Sequence, residues 1–217
     1  EVAFRTLASL LGKTLSYDQP QLDGEYPGGF RFSGALPPVV SGPTFAIRKP
    51  ASRVFTLDEY VEAGTMTKRQ KEVLCQAVEE HLNILVVGGT SSGKTTFANA
   101  IIAEMVRQFP DERHITIEDT LEIQCTAENV VPMHTTLEVT TTKCLKQTLR
   151  LRPTRIHVGE VRDEAALALL DAWNTGHQGG LSTLHANSAE EGLSRLRGLV
   201  SRSPHAPRCI EEVIGKA

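Results

Sequence analysis

Several features that would assign this 217-residue chain to a class at once are scarce or missing. Aromatic residues make up 5% of it and its net charge is −3, so nothing in the totals indicates a basic, aromatic-bearing surface for nucleic acid. No apolar run approaches the roughly 18 residues of a transmembrane helix, and no signal peptide is visible. The four cysteines are scattered without a CxxC pair, which argues against a zinc ribbon and fits reduced thiols in an intracellular protein.

The pattern of the chain changes near residue 65. Residues 12–44 are rich in glycine and proline and predict short strands such as 30–33 and 44–48. We therefore expect residues 1–49 to form part of a small α+β domain, residues 50–65 a linker, and residues 66–217 an α/β domain. Because the chain starts without Met inside a predicted helix and stops just after an apolar stretch, we expect both domains to be trimmed.

Strands and helices alternate along the second part. Thr67 and Gln70 have the spacing of a helix capping box. Strands are predicted at residues 84–87, 114–119, 155–160 and 181–185, with amphipathic helices between them. Such alternation predicts a mostly parallel sheet that is covered by helices on both faces.

A phosphate-binding loop follows the first of these strands. The sequence GGTSSGKT at residues 88–95 matches GxxxxGK[ST] in full and lies between an apolar strand and a periodic helix. Its glycines let backbone N–H groups surround phosphate oxygens, and the helix N-terminus adds a positive field. We expect Lys94 to reach the β- and γ-phosphates of ATP and Thr95 to offer its hydroxyl to Mg²⁺. The expected nucleotide-binding residues are Gly88, Thr90, Ser91, Ser92, Gly93, Lys94, Thr95 and Thr96.

Acidic residues end two of the predicted strands. Glu118 and Asp119 end one strand and Glu160 ends another, so their carboxylates should meet at the edge where an open α/β sheet binds its ligand. ATP hydrolysis needs one group to hold the metal or its waters and another to polarise the attacking water. Glu118 and Glu160 are candidates for both tasks, with Mg²⁺ bound directly or through water, and the residues leave their division of labour open. Asp119 and Glu122 could equally be surface acids.

Four sequence blocks stand in a characteristic order: GGTSSGKTT (88–96), ITIEDTLEIQ (115–124), RLRPTRIHVGEVRD (150–163) and TGHQGGLSTLHANS (175–188). Together they resemble the phosphate loop, Asp box, Walker B and His box of the type II/type IV secretion ATPases. The flanks at 30–50, 166–177 and 206–217 look like the TrbB conjugal-transfer branch. This resemblance implies a RecA-like P-loop domain in an ATP-hydrolysing hexamer. It also implies a cytoplasmic position, peripheral at the inner membrane, where the motor powers conjugation or type IV secretion with apparatus proteins as partners.

The resemblance also suggests roles for single residues. It implies that His185 lies beside the γ-phosphate, that His177 couples subunits, and that Arg48 closes on the γ-phosphate from the N-terminal domain. A structural role stays open for each histidine, and Arg162 could form a salt bridge near the site or face the next subunit. Residues 55–60 could pack on adenine or act as a hydrophobic staple. A metal site at the two histidines is not expected, because no third ligand has helpful spacing.

Other functions need features that the sequence does not show clearly. A pilus assembly or retraction ATPase is the alternative within the same superfamily. A nucleic-acid translocase would need a basic channel with aromatic side chains, so direct sequence-specific nucleic-acid binding is not expected. A small-molecule kinase would need an arginine-rich lid. The remaining histidines that we considered, His81, His114, His157 and His205, are predicted to be structural.

Overall fold

The computed structural model describes residues 2–136 and 138–217, and the chain divides into two units, Glu1–Ser52 and Arg53–Ala217. The first unit contains helix α1 (Val2–Leu10) and an antiparallel sheet of β1 (Gln21–Tyr26), β2 (Phe30–Ala35) and β3 (Thr44–Arg48). Phe4 of α1 meets Phe32 of β2 edge-on at 5.3 Å between ring centroids. Together with Ala8 and Leu22 these rings form the buried core of the unit.

The second unit is built on a five-stranded parallel sheet in the order β4-β8-β7-β5-β6. The fold is therefore the α/β class that the sequence predicts. Its elements are α2 (Leu57–Glu62), α3 (Lys68–Glu79), β4 (Ile84–Gly88), α4 (Lys94–Gln108), β5 (His114–Glu118), β6 (Val130–His134), α5 (Thr141–Thr148), β7 (Arg155–Val158), α6 (Ala165–Asn174), β8 (Leu181–His185), α7 (Ala189–Val200) and α8 (Ile210–Lys216).

Two apolar clusters cover the two faces of this sheet. One joins β5, β7 and β8 to α6 and α7, with Trp173 and Leu199 among its buried side chains. The other joins β4 to α3 and α4, with Val78 and Ile101 buried. Because both faces are covered, β5 and β7 are buried at every position, and their polar residues must find partners inside the protein.

The structure forms a helix inside the segment 50–65 that the sequence predicts to be a linker. Thr56 caps α2 and forms a capping box with Glu59, and Leu57 is buried in the core. The predicted capping box of Thr67 and Gln70 is present at the start of α3. Strand β7 ends at Val158, so Gly159 and Glu160 lie in the loop that follows it. Within the described residues, no helix has the length and apolar character needed to cross a membrane.

Candidate active site

The strand order brings the predicted site residues to one edge of the sheet. Strand β8 lies between β4 and β7, and its last residue, His185, pairs in register with Gly88 at the start of the phosphate loop. Strand β5 lies on the other side of β7 and ends at Glu118. The carboxyl ends of these four parallel strands therefore carry the phosphate loop, His185, Glu160 and Glu118. This is the edge where α/β folds bind ligands.

The phosphate loop turns sharply between β4 and α4. Ser91 and Gly93 have positive φ angles of 58° and 88°. A Cβ atom on Gly88 would lie 2.5 Å from Ser92 Oγ, so a larger residue there would displace the Ser92 side chain. Ser92 Oγ and Lys94 Nζ both donate to the Gly89 carbonyl, at 2.8 and 2.7 Å. With the N-terminus of α4 directly behind it, the loop suits the phosphates of a nucleotide.

All eight residues predicted to bind nucleotide lie in this loop or in the first turn of α4. Thr95 belongs to that first turn, the position from which a hydroxyl serves Mg²⁺ in P-loop proteins. Among residues 2–136 and 138–217, no group of three or more His, Cys, Asp or Glu side chains could hold a metal by itself. A site with few protein donors, such as the Thr95 hydroxyl, fits Mg²⁺. That ion keeps several waters and is held by few protein ligands plus substrate phosphates.

His185 lies between the phosphate loop and the Walker B glutamate. Its Nδ1 is 3.2 Å from Lys94 Nζ and its Nε2 is 3.1 Å from Glu160 Oε1. An ammonium group can only donate, so Nδ1 accepts the hydrogen bond from Lys94. The proton of a neutral imidazole then sits on Nε2 and is donated to Glu160.

Arg162 is the second partner of Glu160. Its Nη2 donates to Glu160 Oε2 at 2.8 Å and its Nη1 to Asp119 Oδ2 at 2.6 Å. The hydrogen bond to Glu160 is the main reason that the pKa of the guanidinium is raised. Both oxygens of Glu160 are therefore engaged, one by Arg162 and one by His185.

Glu118 has a different environment at the end of β5. Its side chain is buried, and Oε1 accepts hydrogen bonds from the backbone N–H groups of Glu122 and Ile123, both at 3.0 Å. Burial raises the pKa of its carboxyl to about 7, although the two backbone donors act in the opposite direction.

A cavity of about 710 Å³ lies beside the phosphate loop. Its apolar lining comes from Tyr60, Met66, Leu74 and Phe97. Residues 92–94 of the phosphate loop form one end of it. The rings of Tyr60 and Phe97 meet edge-on at 5.3 Å between centroids. Its size and apolar lining suit a nucleobase, and Tyr60 belongs to the segment predicted to pack on adenine.

Two further residues, His177 and Arg48, are predicted to take part in the site. His177 precedes β8, at the opposite end of that strand from His185, and its Nδ1 is 3.1 Å from the Pro153 carbonyl oxygen. It therefore cannot contact a phosphate on Lys94 of its own chain, and its predicted coupling role remains a prediction. Arg48 ends β3 in the first unit, and its predicted approach to the γ-phosphate also remains untested.

Sequence reasoning missed two residues that support the site. Asn99 of α4 is buried; its Nδ2 donates to the Glu122 carbonyl and its Oδ1 accepts from the Gln124 N–H, both at 3.0 Å. His134 ends the edge strand β6, and its Nε2 is 2.9 Å from the Asp119 carbonyl oxygen. The sequence offers one sign of Asn99, because a polar residue stands there between Ala98 and Ala100 on the inner face of a helix.

Comparison with known proteins identifies the family of the chain. Residues 27–215 match the family described as Type II/IV secretion system protein. The chain is 50% identical over 218 residues to the conjugal transfer protein TrbB of Rhizobium radiobacter, covering 100% of this chain and 67% of that protein. It spans about two thirds of the length of the TrbB relatives that it matches at this identity.

Solved structures show the same architecture. The chain is similar to the VirB11 ATPase of the Brucella suis type IV secretion system in complex with sulphate, at 29% identity and a TM-score of 0.60, covering 95% of this chain and 68% of that one. It is also similar to the pilus retraction motor PilT with bound ADP, at 26% identity and a TM-score of 0.62, covering 89% of this chain and 53% of that one. The chain therefore belongs to the Type II/IV secretion system protein family, as a secretion ATPase of the TrbB type.

Proposed function

We propose that this chain binds MgATP at the edge formed by β4, β8, β7 and β5 and hydrolyses it to ADP and phosphate. The observation that carries the proposal is the contact chain from the phosphate loop through Lys94 and His185 to Glu160. It joins the lysine expected to hold the phosphates to the carboxylate expected near the metal. The VirB11 structure contains sulphate and the PilT structure contains ADP. Both ligands carry charged oxygens of the kind that the phosphate loop is proposed to bind.

In this proposal the phosphate loop and Lys94 hold the β- and γ-phosphates, and Thr95 holds Mg²⁺. Held by Thr95, Mg²⁺ would supply positive charge against the phosphates. Glu118 accepts a proton from the attacking water as the water oxygen bonds to the γ-phosphorus, while the bond from the γ-phosphorus to the bridging oxygen breaks and ADP leaves with that oxygen. Its pKa of about 7 suits a base that works near neutral pH. Glu160 is less suited to this task, because Arg162 and His185 occupy both of its oxygens.

Substitution of Lys94 tests the hydrolytic site. Phosphate release by the Lys94→Ala variant should fall about a hundredfold or more, because a charge-stabilising donor is lost where charge develops. Lys146→Ala, which removes an exposed lysine at the end of α5, is the matched control and should keep the wild-type rate. Turnover retained in Lys94→Ala would contradict the assignment of the site.

We further propose that the whole protein is a hexameric motor at the cytoplasmic face of the inner membrane that powers conjugative transfer. The 50% identity to a conjugal transfer protein supports this role over pilus retraction, since the similarity to PilT is 26%. Arg48 and His177 would then act when the domains close or where subunits meet. Light scattering of the full-length protein with Mg²⁺ and a non-hydrolysable ATP analogue should give the mass of six chains, and a monomer under these conditions would contradict the ring.

A further inference from the structure

One arginine binds two carboxylates that come from different strand ends. Asp119 follows β5, whereas Glu160 and Arg162 follow the neighbouring strand β7. The guanidinium fork places Nη1 2.6 Å from Asp119 Oδ2 and Nη2 2.8 Å from Glu160 Oε2. Arginine suits this position because its two parallel donors have fixed geometry, which a lysine ammonium cannot reproduce.

Asp119 gives this contact a fixed anchor. Its carbonyl oxygen contacts His134 Nε2 at the end of β6, and the segment that follows it is held by Glu118 and Asn99. The Asp119 carboxylate is therefore attached to backbone that several side chains hold in place. Arg162 donates hydrogen bonds to both carboxylates and so holds Glu160 in place relative to Asp119.

The consequence reaches the phosphate loop through His185. Because Arg162 occupies Oε2 of Glu160, the other oxygen, Oε1, faces His185 Nε2 at 3.1 Å. Glu160 thereby accepts the Nε2 proton, and Nδ1 is left to accept from Lys94 at 3.2 Å. Without Arg162 the carboxylate could rotate, and the imidazole would keep only Lys94 of the two partners that together fix its tautomer and orientation.

We propose that Arg162 is a positioning residue that acts through Glu160 to fix the tautomer and orientation of His185 against Lys94. This inference rests on the proposed ATP hydrolysis for its kinetic effect. It concerns a residue that touches neither the phosphate loop nor the cavity beside it. Asp119 is its anchor and takes no part in the chemistry itself.

The test compares Arg162→Ala and Arg162→Lys with the wild type in the full-length protein. The Arg162 side chain is 55% exposed, so its removal should leave the thermal midpoint within about 4 °C of the wild type. Arg162→Ala should lower kcat about 10- to 100-fold, as losses of supporting contacts do, with little change in the KM for MgATP. Arg162→Lys should recover part of the loss, because one ammonium can replace one of the two contacts.

The matched control is Arg197→Ala. Arg197 forms an exposed ion pair with Glu211 at 2.9 Å in the same unit, away from the strand ends that carry the site. This variant should keep the wild-type kcat. An equal loss of kcat in Arg197→Ala and Arg162→Ala would overturn the proposal, since any surface ion pair would then have the same effect.

A second readout does not depend on catalysis. In ¹⁵N-labelled protein at pH 8, the side-chain spectrum of His185, assigned with His185→Gln, should show the proton on Nε2 in the wild type and a mixture of tautomers in Arg162→Ala. An unchanged tautomer in Arg162→Ala, with or without a loss of kcat, would overturn the proposal. If the wild type releases no phosphate, the proposed function fails, and the spectra still decide the role of Arg162.

Discussion

Gly159 shows at the level of one residue how a missing side chain shapes the site. A Cβ atom at this position would lie 2.9 Å from Glu118 Cγ and 3.1 Å from Glu118 Oε1. The glycine of the Gly159-Glu160 pair therefore makes room for the carboxylate on the neighbouring strand. Glu160 belongs to this pair, and the Glu118 side chain packs against Gly159, so both glutamates of the candidate site depend on it.

Gly159→Ala should displace Glu118 and reduce ATP hydrolysis about 10- to 100-fold. Its overpacking should cost about 1–3 kcal/mol of unfolding free energy. Steady-state phosphate release and urea unfolding measure the two effects. Gly198→Ala is the control, because no atom lies within 4 Å of a Cβ built at that helical position. A Gly159→Ala variant with the kcat of the wild type would show that Glu118 does not need its present place.

The segment after β5 is held by side chains at the scale of an element. Residues 121–127 form neither helix nor strand, so their backbone groups depend on partners from elsewhere. Glu118 Oε1 receives two of their N–H groups, and Asn99 of α4 bonds one carbonyl and one N–H. The helix that starts at the phosphate loop is thereby tied to the loop that carries Asp119.

Asn99→Leu should destabilise the protein by about 1–3 kcal/mol, because it removes both of these buried hydrogen bonds. Asn99→Asp keeps an acceptor for the Gln124 N–H and loses only the donor to the Glu122 carbonyl. Native-state hydrogen exchange should show faster exchange at Glu122, Ile123 and Gln124, with the larger increase in Asn99→Leu. Equal protection of these amides in the wild type and both variants would contradict the bracing role of Asn99.

The sequence predicts those elements and site residues whose signals are local. Strand β4 is an apolar run, β5 and β7 alternate polar with apolar residues, β8 carries two leucines, and the phosphate loop is a complete motif between a strand and a helix. Strand β6 was missed because it is an edge strand that contains Pro132 and is half-exposed. The four side chains Lys94, Glu118, Glu160 and His185 were predicted, but their contacts depend on the strand order β4-β8-β7-β5, which no local pattern encodes. His177 and His185 lie apart for a different reason, since they stand before and at the end of the same strand, β8.

Two buried histidines in the inner strands β5 and β7 affect the stability of the whole molecule. His114 and His157 start or lie within buried strands, and His114 Nδ1 is 2.9 Å from His157 Nε2. Burial lowers the pKa of His114 to about 4 and that of His157 well below its ordinary value. Both imidazoles are therefore neutral in the folded protein, in agreement with the structural role predicted for them.

The free energy of unfolding should fall as the pH drops from about 6.5 toward 4. The unfolded chain takes up protons on both histidines near their ordinary pKa of about 6.5, whereas the folded protein does not. Glu118 opposes this trend, because its raised pKa gives stability that is lost between about 4.5 and 7 as the pH rises. Two histidines outweigh one carboxyl, and Glu118→Gln should steepen the dependence. Urea unfolding at pH 5 and 7 measures both slopes, and a wild type that is more stable at pH 5 would contradict this account.

We propose that the protein hydrolyses ATP at this edge of the sheet, with Glu118 as the proton acceptor. The most direct test is single-turnover hydrolysis of γ-labelled ATP with protein in excess, for the wild type, Glu118→Gln and Glu160→Gln. We predict that Glu118→Gln binds MgATP and retains it uncleaved, with hydrolysis slowed about a hundredfold or more, and that Glu160→Gln is the less impaired of the two. Release of labelled phosphate by Glu118→Gln at the wild-type rate would contradict the claim.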